Sequence, residues 1–234
     1  MLLSVVTTTY NRSGVLELNL NEFKKQTDNN FEIVIAIDGS TDNTIEMLQN
    51  YDCNFPIKWI DTKETNKYCL GKARNMGIIR TTGEAVVFID DDSFPCPEFV
   101  AEHKKSVMQR VLTGGKRTSH DPNDSLHPKM VKTLEMYGDC KPSPIKSLLV
   151  ENNCCMLRKD WFGVGLFSER FPGYGGVGQE FIHRLAYLGY GYQYNPRAAI
   201  FHHREFEGDN GYTREDKDRE ASMSLEVLKK YLRY

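Results

Sequence analysis

Nowhere does the chain carry an apolar run long enough to cross a bilayer. It also lacks an excess of charge: 30 basic and 32 acidic residues leave a formal net charge of −2, so no global field draws it to nucleic acid or an anionic membrane. Its start, Met1-Leu2-Leu3-Ser4-Val5-Val6, has neither a basic leader nor a small-residue cleavage site, and is expected to be a strand. CxxC spacing is missing as well. Cysteines at 53, 69, 96, 140, 154 and 155 show no zinc-type pairing with histidine, which points to reduced thiols in a cytoplasmic protein. What is present is a chain of 234 residues, 40% hydrophobic, able to build a real core.

The first ninety or so residues alternate strand-like and helix-like segments, the pattern of a parallel sheet with covering helices. Leu2–Thr9 reads as a strand, and Ser13 stands where an N-cap belongs, with Leu16, Leu20 and Phe23 at helical spacing. Phe31–Ile37 is a second strand, followed by caps for a short helix carrying Ile45 and Leu48. Ile57–Ile60 is a third strand, 72–80 a helix, and Ala85–Asp90 a fourth strand.

Each strand runs into polar residues: Thr8-Thr9-Tyr10-Asn11, then Asp38, then Asp90-Asp91-Asp92. Right-handed crossovers gather these ends along one sheet edge, where open α/β sheets bind ligands. Burying three adjacent carboxylates is costly, and a divalent cation with oxygen ligands compensates them. Asp38 can accept hydrogen bonds from a base edge, and Tyr10 can stack on it. A turn role for Asp38, in Asp-Gly-Ser, stays open beside this one.

The ordered series Ser4-Val5-Val6-Thr7-Thr8-Thr9-Tyr10-Asn11-Arg12, Ile37-Asp38-Gly39-Ser40-Thr41-Asp42-Asn43-Thr44, Gly71-Lys72-Ala73-Arg74-Asn75-Met76-Gly77-Ile78, Gly83-Glu84 and Phe88-Ile89-Asp90-Asp91-Asp92 resembles the signature of family-2 glycosyltransferases. The resemblance implies the α/β GT-A fold, a Rossmann-like, mostly parallel central sheet flanked by helices. It implies a single domain with a nucleotide-sugar half at 1–112, an acceptor half at 113–212 and a C-terminal helix at 213–234. It also implies transfer of a sugar from a nucleotide sugar (UDP by family habit) to a hydroxyl of a glycan, polysaccharide or other acceptor, with Mn²⁺ or Mg²⁺ as cofactor.

Carried over by position, the resemblance makes Thr8, Tyr10, Asn11, Arg12 and Asp38 nucleotide contacts, and brings Arg74 to the pyrophosphate or sugar. Asp90 and Asp92 become the carboxylates of the DxD motif, with Asp90 near the ribose and Asp92 on the metal. Asp91 is grouped with the donor site, although strand alternation turns it to the opposite face. Ile37 departs from the family, which often has a further Asp there.

From Thr113 to Ser147 the chain is polar and rich in turn residues, and reads as a loop or flap in which His120 and His127 are surface residues. The stretch from Glu151 to Arg158 resembles the family's acceptor-side strand, which makes Asn153 and the following aromatic Trp161 acceptor contacts. The glycines at 173, 175 and 178 formally spell GxGxxG, but no strand leads into them, so a dinucleotide site is excluded.

A helix follows, with Phe181, Leu185 and Leu188 on one stripe. Inverting members carry an acidic pair here whose Asp is the general base, and this chain has Val177 and Gly178. Glu180 is the favoured substitute; the alternative is a vacant position served by another group, or a module that binds nucleotide sugars without turnover. A β-rich run at 195–201 ends in His202-His203, where the resemblance places a histidine on the metal, and His202 is preferred. The amphipathic C-terminal segment, with Met223, Val227, Leu228, Tyr231 and Leu232, is expected to dock on the domain or on a second subunit as a homodimer.

Overall fold

A computed structural model describes residues 1–65, 69–119, 143–144, 152–171, 173–202 and 214–231. The strands are β1 (Leu3–Thr9), β2 (Phe31–Ile37), β3 (Ile57–Asp61), β4 (Ala85–Asp90), β5 (Ser93–Pro95), β6 (Val111–Ser119), β7 (Ser143–Pro144), β8 (Cys154–Leu157) and β9 (Gly191–His202). The helices are α1 (Ser13–Phe23), α2 (Thr44–Asn50), α3 (Leu70–Arg80), α4 (Phe99–Ser106), α5 (Arg158–Gly163), α6 (Val177–Tyr187) and α7 (Arg214–Tyr231).

All these strands join one sheet in the order β3-β2-β1-β4-β8-β6-β9-β5, with β7 pairing β9. Strands β1 to β4 pair with one another in parallel, β1 lying between β2 and β4, while β5 pairs antiparallel with β9. The second half is mixed, because β8 enters antiparallel to both β4 and β6 while β6 and β9 run parallel.

Strands β1, β2 and β4 are buried along almost their whole length because helices cover both faces of the sheet. Strand alternation divides their side chains between two cores. Val5, Ile33, Ile35, Val87 and Ile89 pack with Leu16, Leu20, Phe23 and Phe99 on one face. Val6, Val34, Val86 and Phe88 pack with Ile78, Trp161, Phe167 and Phe181 on the other.

Four local expectations change. Ser13 is the first helical residue rather than the cap; Arg12 holds the cap position without a side-chain cap bond, and Ser13 Oγ instead donates to Asn43 Oδ1 at 2.5 Å. The polar stretch read as loop from Thr113 opens as strand, since β6 runs through Gly114-Gly115 to Ser119. Those glycines are close-approach positions rather than turn residues. A Cβ on Gly114 would collide with the Tyr192 ring, and one on Gly115 with the Ala198 carbonyl and the Asn153 amide. On α6 the buried stripe is Phe181, Ile182 and Leu185, whereas Leu188 lies past the helix end and is 40% exposed. His120, His127, His203 and the body of the proposed flap lie outside the described residues.

Helix α7 docks on this same chain. Glu220 Oε2 accepts the Tyr174 N–H at 2.7 Å, Ser224 Oγ donates to the Tyr174 carbonyl at 3.1 Å, and Val227 packs on the core. Met223 and Leu225 remain exposed. No helix among the described residues is long and apolar enough to cross a membrane.

Candidate active site

Parallel pairing of β1 with β2 and β4 brings their carboxyl ends to one edge. Thr8 lies beside Asp90 in register, Thr9 beside Ile37, and the Asp38 N–H donates to the Thr9 carbonyl at 2.9 Å. Tyr10 is partly exposed at this edge.

Asp38 is buried. Its Oδ2 accepts the Cys69 N–H at 2.9 Å and its Oδ1 the Thr62 hydroxyl at 3.2 Å. Burial pushes its carboxyl above the usual range, against the pull of those two bonds. Asn11 adopts the left-handed region at φ 50°, and its Oδ1 accepts the Thr41 N–H at 2.7 Å. That bond and the Asn11 N–H donated to Ser40 Oγ at 3.0 Å tie the β1 turn to the Asp38 loop. The amide expected at the nucleotide thus braces the pocket wall.

The three aspartates separate into three tasks. β4 ends at Asp90, and Asp91-Asp92 form a turn into β5, so the extended backbone does not persist through the triplet. The Asp90 side chain is the open one, 36% exposed against 5% and 12% for Asp91 and Asp92. Arg74 Nη2 lies 3.6 Å from Asp90 Oδ1, and its guanidinium sits 5.2 Å from the Phe167 ring centre and 5.9 Å from that of Phe88. Packed this way, the cation is held near Asp90 in a fixed orientation.

Asp92 Oδ1 stands 3.6 Å from His202 Nε2. The pairing of β5 with β9, Ser93 against His202, produces this approach. The middle residue departs from the donor role expected of it. Asp91 is enclosed beneath the β1 turn, where Thr9 Oγ1 donates to its Oδ2 at 2.8 Å and Arg12 Nη1 to its Oδ1 at 2.9 Å. Burial pushes its carboxyl up to about 7, with the Arg12 guanidinium pulling the other way. Arg12, expected at the nucleotide, is turned onto the triplet and also reaches Asp92 Oδ2 at 3.2 Å.

Residues that the motif reading passed over hold this turn in place. The Asn152 Oδ1 accepts the Asp90 N–H at 3.1 Å, and its amide donates to Ser93 Oγ at 3.1 Å. Asn19, from α1, donates to the Ser93 carbonyl at 2.7 Å. A signal for Asn152 existed in the sequence: antiparallel pairing of the two apolar runs, Phe88 against Cys154, carries it opposite Asp90.

Both expected acceptor residues turn out to be structural. Asn153 is 0% exposed, with its Oδ1 2.8 Å from His103 Nε2 and its amide donating to the Lys116 and Ala198 carbonyls. Trp161 is 1% exposed, stacked on Phe181 at 4.8 Å, with its indole N–H given to the Val86 carbonyl. Neither can meet a substrate without unpacking the core. Glu180 is likewise engaged: both carboxylate oxygens are bonded by Arg184, at 2.8 and 2.7 Å, and Arg184 also donates to the Val164 carbonyl. This is an i,i+4 ion pair along the helix face.

Residues 4–162 match the family model described as Glycosyl transferase family 2. The chain belongs to this family. The validoxylamine A glucosyltransferase of Streptomyces hygroscopicus subsp. jinggangensis is 30% identical over 218 residues, covering 79% of this chain and 51% of that protein. This family-2 chain thus spans about half the length of that relative. The S. aureus TarS structure in complex with UDP-GlcNAc superposes with a TM-score of 0.68 at 20% identity, covering 99% of this chain and 72% of that one. A mannosyltransferase from Pyrobaculum calidifontis in complex with GDP-Man and Mn²⁺ gives 0.67 at 18% identity, covering 85% and 56%. These likenesses establish the GT-A fold, with its curled central sheet between helices.

The family-2 residues fit a divalent cation in chemistry. Asp92, in the turn before β5, and His202, at the end of β9, bring together a carboxylate oxygen and an imidazole nitrogen of the kind that binds Mn²⁺ or Mg²⁺ alongside phosphate and water. Among the described residues no group of three or more His, Cys, Asp or Glu forms a complete cage.

Proposed function

We propose that this chain transfers a sugar from a nucleotide sugar, most simply a UDP-sugar, to a hydroxyl of a glycan or polysaccharide, with a divalent metal held by Asp92 and His202. The observation that carries this reading is the convergence of two pairs on one sheet edge. Arg74 meets Asp90 at 3.6 Å, and His202 meets Asp92 at 3.6 Å, beside the buried Asp38. One pair supplies a fixed cation for a diphosphate and the other a metal site. UDP-GlcNAc in the TarS complex supports the choice of nucleotide. Cysteines 53, 69, 96, 154 and 155 stand as thiols, which supports a cytoplasmic setting.

In this reading Asp38 accepts an N–H from the base edge, Tyr10 stacks on the base, and Thr8 borders it. Asp90, the most open aspartate, accepts from the ribose hydroxyls. Arg74 holds the diphosphate through its planar guanidinium. A divalent cation at Asp92 and His202, when bound, supplies positive charge against that developing on the leaving nucleoside diphosphate.

Binding without turnover is the second reading. It is favoured by the absence of a carboxylate at Val177-Gly178 and by the engagement of Glu180 with Arg184. A screen of nucleotide sugars with Mn²⁺, following nucleotide release and thermal shift together, tests both. Release with one donor class supports transfer; thermal shift without release supports the binding module; no response from any nucleotide sugar contradicts both.

A further inference from the structure

The metal-binding carboxylate has a fixed cation for a neighbour. Arg12 Nη1 lies 2.9 Å from Asp91 Oδ1 and 3.2 Å from Asp92 Oδ2, and the Arg12 and Asp91 side chains are 9% and 5% exposed. The cation is delivered by construction. Asn11 turns the chain at φ 50°, and its bonds to Ser40 and Thr41 fix that turn. Arg12 then follows at the head of α1, with its Nη1 on the triplet.

A guanidinium close to a ligating carboxylate disfavours a second cation there, and does so strongly where water is excluded. Of the Asp91 and Asp92 oxygens, that of Asp91 lies nearer Arg12 Nη1, and Thr9 Oγ1 fixes the other Asp91 oxygen at 2.8 Å. Asp92 keeps Oδ1 turned toward His202.

We propose that Asp91 is a positioning residue for the metal site: by holding the Arg12 guanidinium it limits the grip of Arg12 on Asp92 and keeps that carboxylate available to a divalent cation. The inference rests on the reading of Asp92 and His202 as metal ligands. It gives the middle aspartate a role without any contact to donor or metal.

The test is Mn²⁺ titration of the full chain, followed by loss of the free-ion electron paramagnetic resonance signal, with thermal melts of each variant alongside. Asp91→Asn keeps the shape and removes the charge, and is expected to weaken Mn²⁺ binding about tenfold, the scale carried by outer partners of metal ligands. Adding Arg12→Gln to Asp91→Asn should restore affinity to within a few-fold of wild type. Arg12→Gln alone should bind Mn²⁺ at least as tightly as wild type, which keeps the test decisive if Asp91→Asn fails to fold. Unchanged affinity in Asp91→Asn, a double variant no tighter than the single, or weaker binding by Arg12→Gln overturns the proposal while the metal reading stands. Absence of Mn²⁺ binding by the wild type removes the metal reading and this proposal together.

Discussion

At the residue scale, the aspartate triplet shows how similar side chains acquire different work from a single turn. Asp90 is open and near Arg74, Asp91 is enclosed with Arg12, and Asp92 faces His202. Asp92→Ala is therefore expected to abolish donor turnover and the metal-dependent part of nucleotide affinity. Its melting temperature should fall as well, because Asp92 is buried and bonded by the buried Arg12 guanidinium, so donor binding is read at a temperature where the variant is folded. Nucleotide binding by the variant that still tightens with Mn²⁺ would contradict the assignment. For Glu180 the geometry predicts a structural role. Glu180→Gln should cost about 0.3–0.5 kcal/mol, as for other i,i+4 pairs, and leave transfer within a few-fold. A fall of roughly 10²–10⁴-fold, the range for a lost general base, would return Glu180 to the chemistry.

At the element scale, legibility followed burial and pairing. Ala85–Asp90 was readable because a β-branched run ending in carboxylates has few other meanings, and the fold sets β4 at those bounds. The strand through Gly114-Gly115 was not, because a glycine signals a turn until the Tyr192 ring and the Ala198 carbonyl across the sheet are known. The burial of Asn153 and Trp161, expected at the acceptor, was hidden for a related reason. A polar or aromatic residue beside a presumed site looks functional until its buried partners appear.

His103, on α4, is one such partner. Burial brings its imidazole down to about 4, against the Asn153 bond and the Glu102 charge. A depressed histidine contributes stability that is complete above its unfolded value of about 6.5 and is lost as pH falls toward the folded value. Between about pH 7 and pH 5 this contribution should shrink by roughly 2 kcal/mol. His103→Gln should flatten that part of the acid-side loss, seen as a smaller difference in denaturation midpoint between the two pH values. An unchanged difference would contradict the account.

At the scale of the whole molecule, one sheet joins the parallel strands β1 to β4 to a mixed second half, and the two proposed metal ligands come from both. Asp92 follows β4 and His202 ends β9, so the site is complete only when the sheet is. In the proposed function nucleotide and metal bind there as a unit. Calorimetric titration of the wild-type chain with UDP, with and without Mn²⁺, distinguishes this from independent binding. Clearly tighter UDP binding is expected with Mn²⁺, and equal UDP affinity in the two titrations would show that the two do not share a site.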